Sequence, residues 1–324
     1  MDDVPARLDF ERAERRAFEA GPGDAGERLD VFLLPRLEGF SRSGVQRLIR
    51  DGHVAVNGAS ARPAAKVRAG DRIEVTVPLV LPPGVDPEDL PLAVLLEDDA
   101  FAVLDKAAGM AVHPGRGRLK GTLANAIAHR WGALGTGGPA YRPGIVHRLD
   151  LETSGVMVVA KTEAAHAALT AAFKERRVEK EYRALVFGDP AYDEDAIDAP
   201  LGRDLADPTR MAVRYDQGRE AYTETRIVER FGAAADVACR PRTGRTHQIR
   251  VHLMHRGHPL LGDATYARGR TPPVPVPRLM LHALRLVFPH PKSGAAVAVE
   301  APLPADFTAV RDALRAIDGG ARGG

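Results

Sequence analysis

A single cysteine, Cys239, stands in the whole chain, so no internal disulfide can form and no zinc site of several thiolates can be assembled. That scarcity points to a reducing compartment, with the cytoplasm as the expected location. Long apolar runs are missing too. Nothing approaches the ~18 residues that a membrane-spanning helix requires, and the charged start MDDVPARLDFERAERR lacks the apolar stretch of a secretion signal. Strong net charge is also absent, at +2, so the total does not announce a nucleic-acid partner and only local clustering could. Such a cluster exists: from Arg240 to Arg256 there are five arginines and no acids, with His247, His252 and His255 among them.

What is there suits two folded units. The chain has 324 residues, 44% of them hydrophobic, more than one ordinary domain holds and enough for a sizeable core. Residues 1–25 mix charge with Gly-Pro-Gly and are expected to be a flexible extension. In RLDVFLLPRL the apolar positions fall at helical spacing until Pro35 interrupts. Ser41 is a suitable N-cap for SRSGVQRLIRDG, HVAVNG alternates into an Asn-Gly turn, and RAGDRIEVTV reads as a turn and a strand. These make a small α/β module over 26–78. A Pro-rich linker is expected at 79–91. From 92 to 318, β-like runs (AFAVLDK, GVMVVAKT, KEYRALVFG, RLMLHALRLVFPH) are interrupted by the helical GTLANAIAHRWG and TEAAHAALTAAFKERR. Without regular βαβ alternation, the expected class is α+β, a mixed, mainly antiparallel sheet with flanking helices. Residues 319–324 read as a disordered tail.

The string RLD, SRSGVQRLI, GHVAVNG, VRAGDRIEV resembles, end to end, the small RNA-binding module named after the fourth small-subunit ribosomal protein. The resemblance implies that Arg42, Arg47, Arg50 and Lys66 contact the RNA backbone, where cationic side chains give salt-dependent phosphate binding. Such a module holds substrate and does no chemistry.

The segment RPGIVHRLDLETSGVMVVAKT carries more. Asp150 follows an apolar pair and precedes a turn-like ETSG, which predicts a strand-to-loop junction, a place where a carboxylate is held rigidly yet reaches substrate. HRLDLETSG resembles the signature of the RluA-type pseudouridine synthases, including the RluC and RluD branches. DKAAGMAVHPG, KEYRALV, RTGRTHQIRVHL, GDATYARG and LHALRLVFPHP follow in the family's order, from about 92 to 305; Ala107 replaces a customary proline. The resemblance implies that Asp150 is catalytic, that Arg148 helps displace the target base, that Tyr182 stacks on the flipped uracil, and that Arg245 forms an ion pair with Asp150. His147, beside them, is expected at the RNA. Extruding a base costs a few kcal/mol, and an aromatic face returns about 1–3 kcal/mol per base.

No cofactor or metal is expected. GRGRLKG follows no phosphate-binding βα turn; HQIRVHLMHRGH lacks a ligand set at metal spacing, and its HQIRVHL reads as extended. The expected partner is RNA, large-subunit ribosomal RNA favoured over transfer RNA, and the protein is expected to be a monomer. Two competing readings are a non-catalytic RNA-binding or assembly protein on the same fold, and a glycosidic hydrolase, which would need a second working carboxylate.

Overall fold

The computed structural model describes residues 7–81, 84–115, 118–132, 134 and 142–322. The chain divides into two compact units meeting at Gly84 and Val85.

In the first unit, β1 (Arg7–Glu19), β2 (Val54–Val56), β3 (Ala59–Ser60) and β4 (Arg72–Leu81) form an antiparallel sheet in the order β1-β4-β2-β3. Pro35 ends α1 (Leu29–Leu33) in a 3-10 turn, Leu34–Arg36, as its missing N–H requires. Helix α2 (Arg42–Arg50) starts at Ser41, whose hydroxyl accepts the Gly44 N–H. It turns Val45, Leu48 and Ile49 into a core shared with Leu29, Phe32 and Ile73, and leaves Arg42, Arg47 and Arg50 exposed on the other side. Asn57 (φ 52°) and Gly58 (φ 80°) make the tight turn between β2 and β3. The flexible extension expected over 1–25 is corrected from residue 7 onward. Arg7–Glu19 pairs with β4 across most of its length, from Arg7 opposite Leu81 to Glu19 opposite Arg72. Backbone pairing supplies an order that the charged side chains do not advertise. Residues 1–6 of that extension, and 82–83 of the Pro-rich stretch, lie outside the described residues.

The second unit is built on a nine-stranded sheet containing β5 (Ala93–Glu97), β6 (Phe101–Lys106), β7 (Ser154–Ala160), β8 (Glu179–Phe187), β9 (Glu194–Asp198), β12 (Tyr222–Arg230), β13 (Ala234–Pro241), β14 (Leu281–Pro289) and β15 (Ala296–Glu300). A separate hairpin joins β10 (Leu201–Arg203) to β11 (Met211–Val213). The sheet order is β5-β6-β7-β14-β8-β13-β12-β9, with β15 also on β14. Among the described strands only β7 and β14 pair in parallel, through Ser154 and Gly155; the architecture is thus mixed and mainly antiparallel, as expected. Gly155 explains part of the ETSG string. Its φ is 114°, and a Cβ there would stand 2.2 Å from the Ala283 carbonyl oxygen, so no larger residue lets the two strands meet.

Among its described residues, the helices α3 (Leu123–Trp131), α4 (Glu163–Lys174), α5 (Gln248–His255) and α6 (Ala305–Arg322) complete the unit. Thr122 and Thr162 cap α3 and α4. Two expectations fail here. HQIRVHL is not extended but forms α5, and residues Gln248 to Leu253 are all buried. Burial on every side erases the amphipathic period that marks a surface helix. Helix α6 runs on through Arg322, so 319–322 are helical rather than a disordered tail; Gly323 and Gly324 lie outside the described residues. No helix among the described residues is long and apolar enough to cross a membrane.

Candidate active site

Beyond Gly155, β7 and β14 separate, and the chain at 144–150 fills the gap. The Gly144 carbonyl accepts the Ala160 N–H (2.8 Å), and His147 Nε2 accepts the Val158 N–H (3.0 Å) while its ring stacks on Phe173. An imidazole thus replaces a strand carbonyl. Burial pushes its pKa down to about 3, consistent with a nitrogen that must stay unprotonated to accept. His147 thus has a duty in the fold that its sequence context did not suggest, while it also lines the cleft. The same observation revises the surroundings of Asp150, which sits in a loop entering β7 and not at a strand end.

Lys106 anchors that loop from below. Fully buried, its ammonium donates to the carbonyls of Ala107 (2.8 Å), Met110 (2.9 Å) and Leu151 (3.2 Å). Burial lowers its pKa to about 8, against the opposing pull of Asp150 and Glu152. The residue after Asp150 is thereby tied to the DKAAG turn, which the Gly109 N–H reinforces at Leu151 O (2.9 Å).

Asp150 faces a cleft of about 500 Å³ lined by the 146–150 loop, the segment from Phe173 to Tyr182, and the turn from Pro241 into α5. It is the one carboxylate among the described lining residues, against seven lysines and arginines. Its side chain keeps 21% of its surface. The expected Arg245–Asp150 ion pair does not form. Arg250 makes that contact, with Nη1 3.2 Å from Asp150 Oδ2, because the helical turn of α5 carries Arg250 inward. Arg245 instead donates from Nε to the Glu220 carbonyl (2.9 Å).

Arg250 is itself clamped. Its Nε and Nη2 donate to both oxygens of buried Asp263 (2.8 and 2.9 Å), which also accepts the Thr265 and Tyr266 N–H groups. Although burial works the other way, these bonds hold the Asp263 pKa below the usual carboxylate range. The GDATY string thus positions the arginine that faces Asp150. His247, at the head of α5 with φ 56°, brings Nε2 to 3.9 Å from Asp150 Oδ2. Its Nδ1 bonds the Tyr266 hydroxyl (2.9 Å), whose oxygen already accepts the Met211 N–H (3.0 Å). Burial lowers the His247 pKa against the pull of Asp150. Gln248 fixes the turn, accepting the Arg245 N–H and the Thr243 hydroxyl and donating to Tyr222 O and Thr223.

Tyr182 and Arg148 both line the cleft, Arg148 exposed and Tyr182 half-buried. Burial, and then the nearby Asp150 charge, raise the Tyr182 pKa, so its phenol is neutral and its ring offers a flat apolar wall. Asp150, Tyr182, Arg148 and Arg245 therefore share one cleft. Arg250, Asp263 and Tyr266 were missed by the sequence reading, and His247 and Lys106 were given no role in it; the second arginine of TGRTHQIR was the available signal.

In the first unit, Arg42 Nε lies 3.3 Å from Asp30, Arg50 Nε donates to Gln46 O, and Lys66 donates to the Gly26 carbonyl (2.8 Å). Arg47 has no ionic partner among the described residues.

Comparison with known proteins accounts for both units. The S4 domain family matches residues 27–73, and the RNA pseudouridylate synthase family matches 100–255. An uncharacterized RNA pseudouridine synthase of Bacillus subtilis is 41% identical over 290 residues, covering 89% of this chain and 94% of the relative. The ribosomal large subunit pseudouridine synthase D of Xanthomonas campestris pv. campestris is 42% identical over 302 residues, 90% of each chain. Among solved structures, human RNA pseudouridylate synthase domain containing 1 is 29% identical with a TM-score of 0.53, over 73% of this chain and 98% of that one. With an S4 domain at its head and such identity sustained along its length, the chain belongs to the RNA pseudouridine synthase family.

Proposed function

We propose that this enzyme isomerises uridines in large-subunit ribosomal RNA, with Asp150 as the catalytic carboxylate acting on a nucleotide flipped into the cleft. The reaction breaks the C1′–N1 bond, turns the ring and makes a C1′–C5 bond. The proton lost from C5 is balanced by one gained at N1, so nothing is consumed. A stacked base cannot turn. Tyr182 gives the extruded uracil a face to lie on, and Arg148, at the mouth beside Asp150, suits the space that the base leaves.

The observation that carries this reading is the setting of Asp150, a solitary carboxylate in a cationic cleft, aimed by Arg250 and neighboured by His247 Nε2. A glycosidic hydrolase would call for two working carboxylates. Asp263, the next acid inward, is buried and fully engaged by Arg250 and two amides. Support for the ribosomal substrate comes from relatives named as ribosomal large subunit synthases and from the S4 domain. Pseudouridine mapping of total RNA from cells with and without the protein tests it. Sites lost only from large-subunit ribosomal RNA are expected; losses confined to transfer RNA would redirect the substrate, and no loss would remove the activity in those cells.

A further inference from the structure

A second cleft, of about 340 Å³, adjoins the first and shares Arg176, Val178, Lys180, Pro241 and Arg242 with it. Lys180 stands where the two meet. It is half-buried, and its ammonium donates to the Thr243 carbonyl (2.9 Å), but no carboxylate pairs with it among the described residues. The facing turn is open. A methyl group on Gly244 would stand 4.0 Å from Lys180 Nζ and meet nothing nearer. The N–H groups of Gly244 and Thr246 make no hydrogen bond among the described residues, and Arg245, anchored through Nε alone, has no carboxylate partner either. Arg176 closes the rim, its guanidinium paired with both oxygens of Glu220 (3.0 and 2.9 Å). It is one of three non-glycine residues with positive φ (60°) among the described residues, and another, His247, lines the first cleft. Non-glycine left-handed backbone costs stability and gathers at functional sites.

We propose that Lys180, Arg245 and the amides of Gly244 and Thr246 form a phosphate subsite where the clefts meet, with Arg176 at its rim. It takes a phosphodiester of the RNA strand next to the target nucleotide, and so rests on the nucleotide reading of the cleft. Lys180 and Arg245 crowd together here, and neither has a carboxylate of its own among the described residues: Glu220 is taken by Arg176, and Glu181 of the second cleft by Arg240. Burial, and then Arg245, lower the Lys180 pKa to about 8; burial, Arg219 and Arg176 lower that of Arg245, which Glu220 opposes in part. Half-buried cations without internal anions are costly unless a ligand supplies the charge. A bridging phosphate does so, and it would fix the strand on the wall opposite Asp150. Arg245 thereby gains a role in holding RNA in place of the ion pair it does not make.

The test measures affinity of the full-length enzyme for transcribed large-subunit ribosomal RNA against salt, with turnover at saturating RNA. Lys180→Gln and Arg245→Gln each should weaken binding and flatten the slope of log K against log salt by about 0.7, one single-strand phosphate contact, while kcat stays within a few-fold. Arg176→Gly removes the exposed Glu220 pair, worth little, and relieves the left-handed backbone, so it should weaken binding with Tm held; the freed Glu220 beside Arg245 adds to that loss of affinity. Gly244→Asp, an unstrained position, should weaken binding most by placing a carboxylate against Lys180. Uridine 3′,5′-bisphosphate should out-bind uridine on the wild type and lose that advantage in Lys180→Gln. Unchanged affinity and slope in Lys180→Gln and Arg245→Gln, or a loss confined to kcat, overturns the subsite. The reading of the cleft fails separately, if Asp150→Asn still forms pseudouridine.

Discussion

The tripeptide Arg-Leu-Asp recurs along the chain, and its copies at 28–30 in the first unit and 148–150 in the second do opposite things. In the first, Arg28 folds back on its own Asp30 with two bonds (2.9 and 3.1 Å), and Gln46 (2.6 Å) and Arg42 (3.3 Å) take the remaining oxygen sites. Asp30 has no exposed surface, and the Arg28 hydrogen bond leads in holding its pKa well below the carboxylate range. In the second, Arg148 lines the cleft and a residue one hundred positions away, Arg250, makes a single contact with Asp150. One carboxylate is saturated and ties a small domain together; the other keeps lone pairs for something outside the protein. Unsatisfied capacity facing a cleft, not the residue type, marks the working acid.

Exchanging each acid for its amide should separate these roles most sharply. Asp150→Asn is expected to lower kcat by roughly 10³-fold or more with Tm and RNA affinity near wild type. Asp30→Asn should instead destabilise the first unit by roughly 3 kcal/mol, the scale of breaking a buried pair, with kcat retained. Normal turnover by Asp150→Asn would end the comparison.

The arginines offer the next contrast. Arg250→Gln leaves Asp263 buried without its partner and should cost about 3 kcal/mol of stability together with a fall in kcat. Arg245→Gln should leave Tm alone and raise KM. Equal kcat losses in steady-state assays would show that Arg245 reaches the reacting groups after all.

Acid should distinguish the units as wholes. His147 (about 3) and His282 (about 4) are held neutral by burial; His282 bridges Ser154 and the Ala301 carbonyl. Their folded pKa values lie below the ordinary ~6.5, so the unfolded chain binds protons first as pH falls. Stability present above ~6.5 is then lost on the way down, roughly 2 kcal/mol for each ring at pH 5. Asp30 has the opposite timing, since a depressed carboxylate loses its contribution only below its ordinary ~3.9. Hydrogen-exchange protection, corrected for intrinsic rates, should therefore fall in β7 between pH 7 and 5 while β4 holds. A parallel loss in both strands would refute this assignment.

The smallest effect belongs to the S4 surface. Arg47→Ala should flatten the salt dependence of RNA binding by about 0.9 per duplex phosphate contact with unchanged kcat. An unaltered slope would move the contact elsewhere on α2.

The strings of the chain were enough to identify two units, the strands β2, β4, β6, β7, β8 and β14, the helices α2, α3 and α4, and Asp150, Tyr182 and Arg148 as cleft residues, because these depend on local patterns: alternation, caps, turn residues and a distinctive motif. Three misreadings share one cause. Taking HQIRVHL as extended and choosing Arg245 over Arg250 are the same error, since only a helix brings the later arginine to Asp150. The structural duty of His147 went unread because nothing local reveals that a gap between β7 and β14 needs an acceptor. The first strand looked loose because its order comes from β4, more than fifty residues away. Local chemistry written in the chain determined which groups could act; which of them are saturated, and which face the cleft with capacity to spare, was decided by partners distant in sequence, because a hydrogen bond depends on position in space.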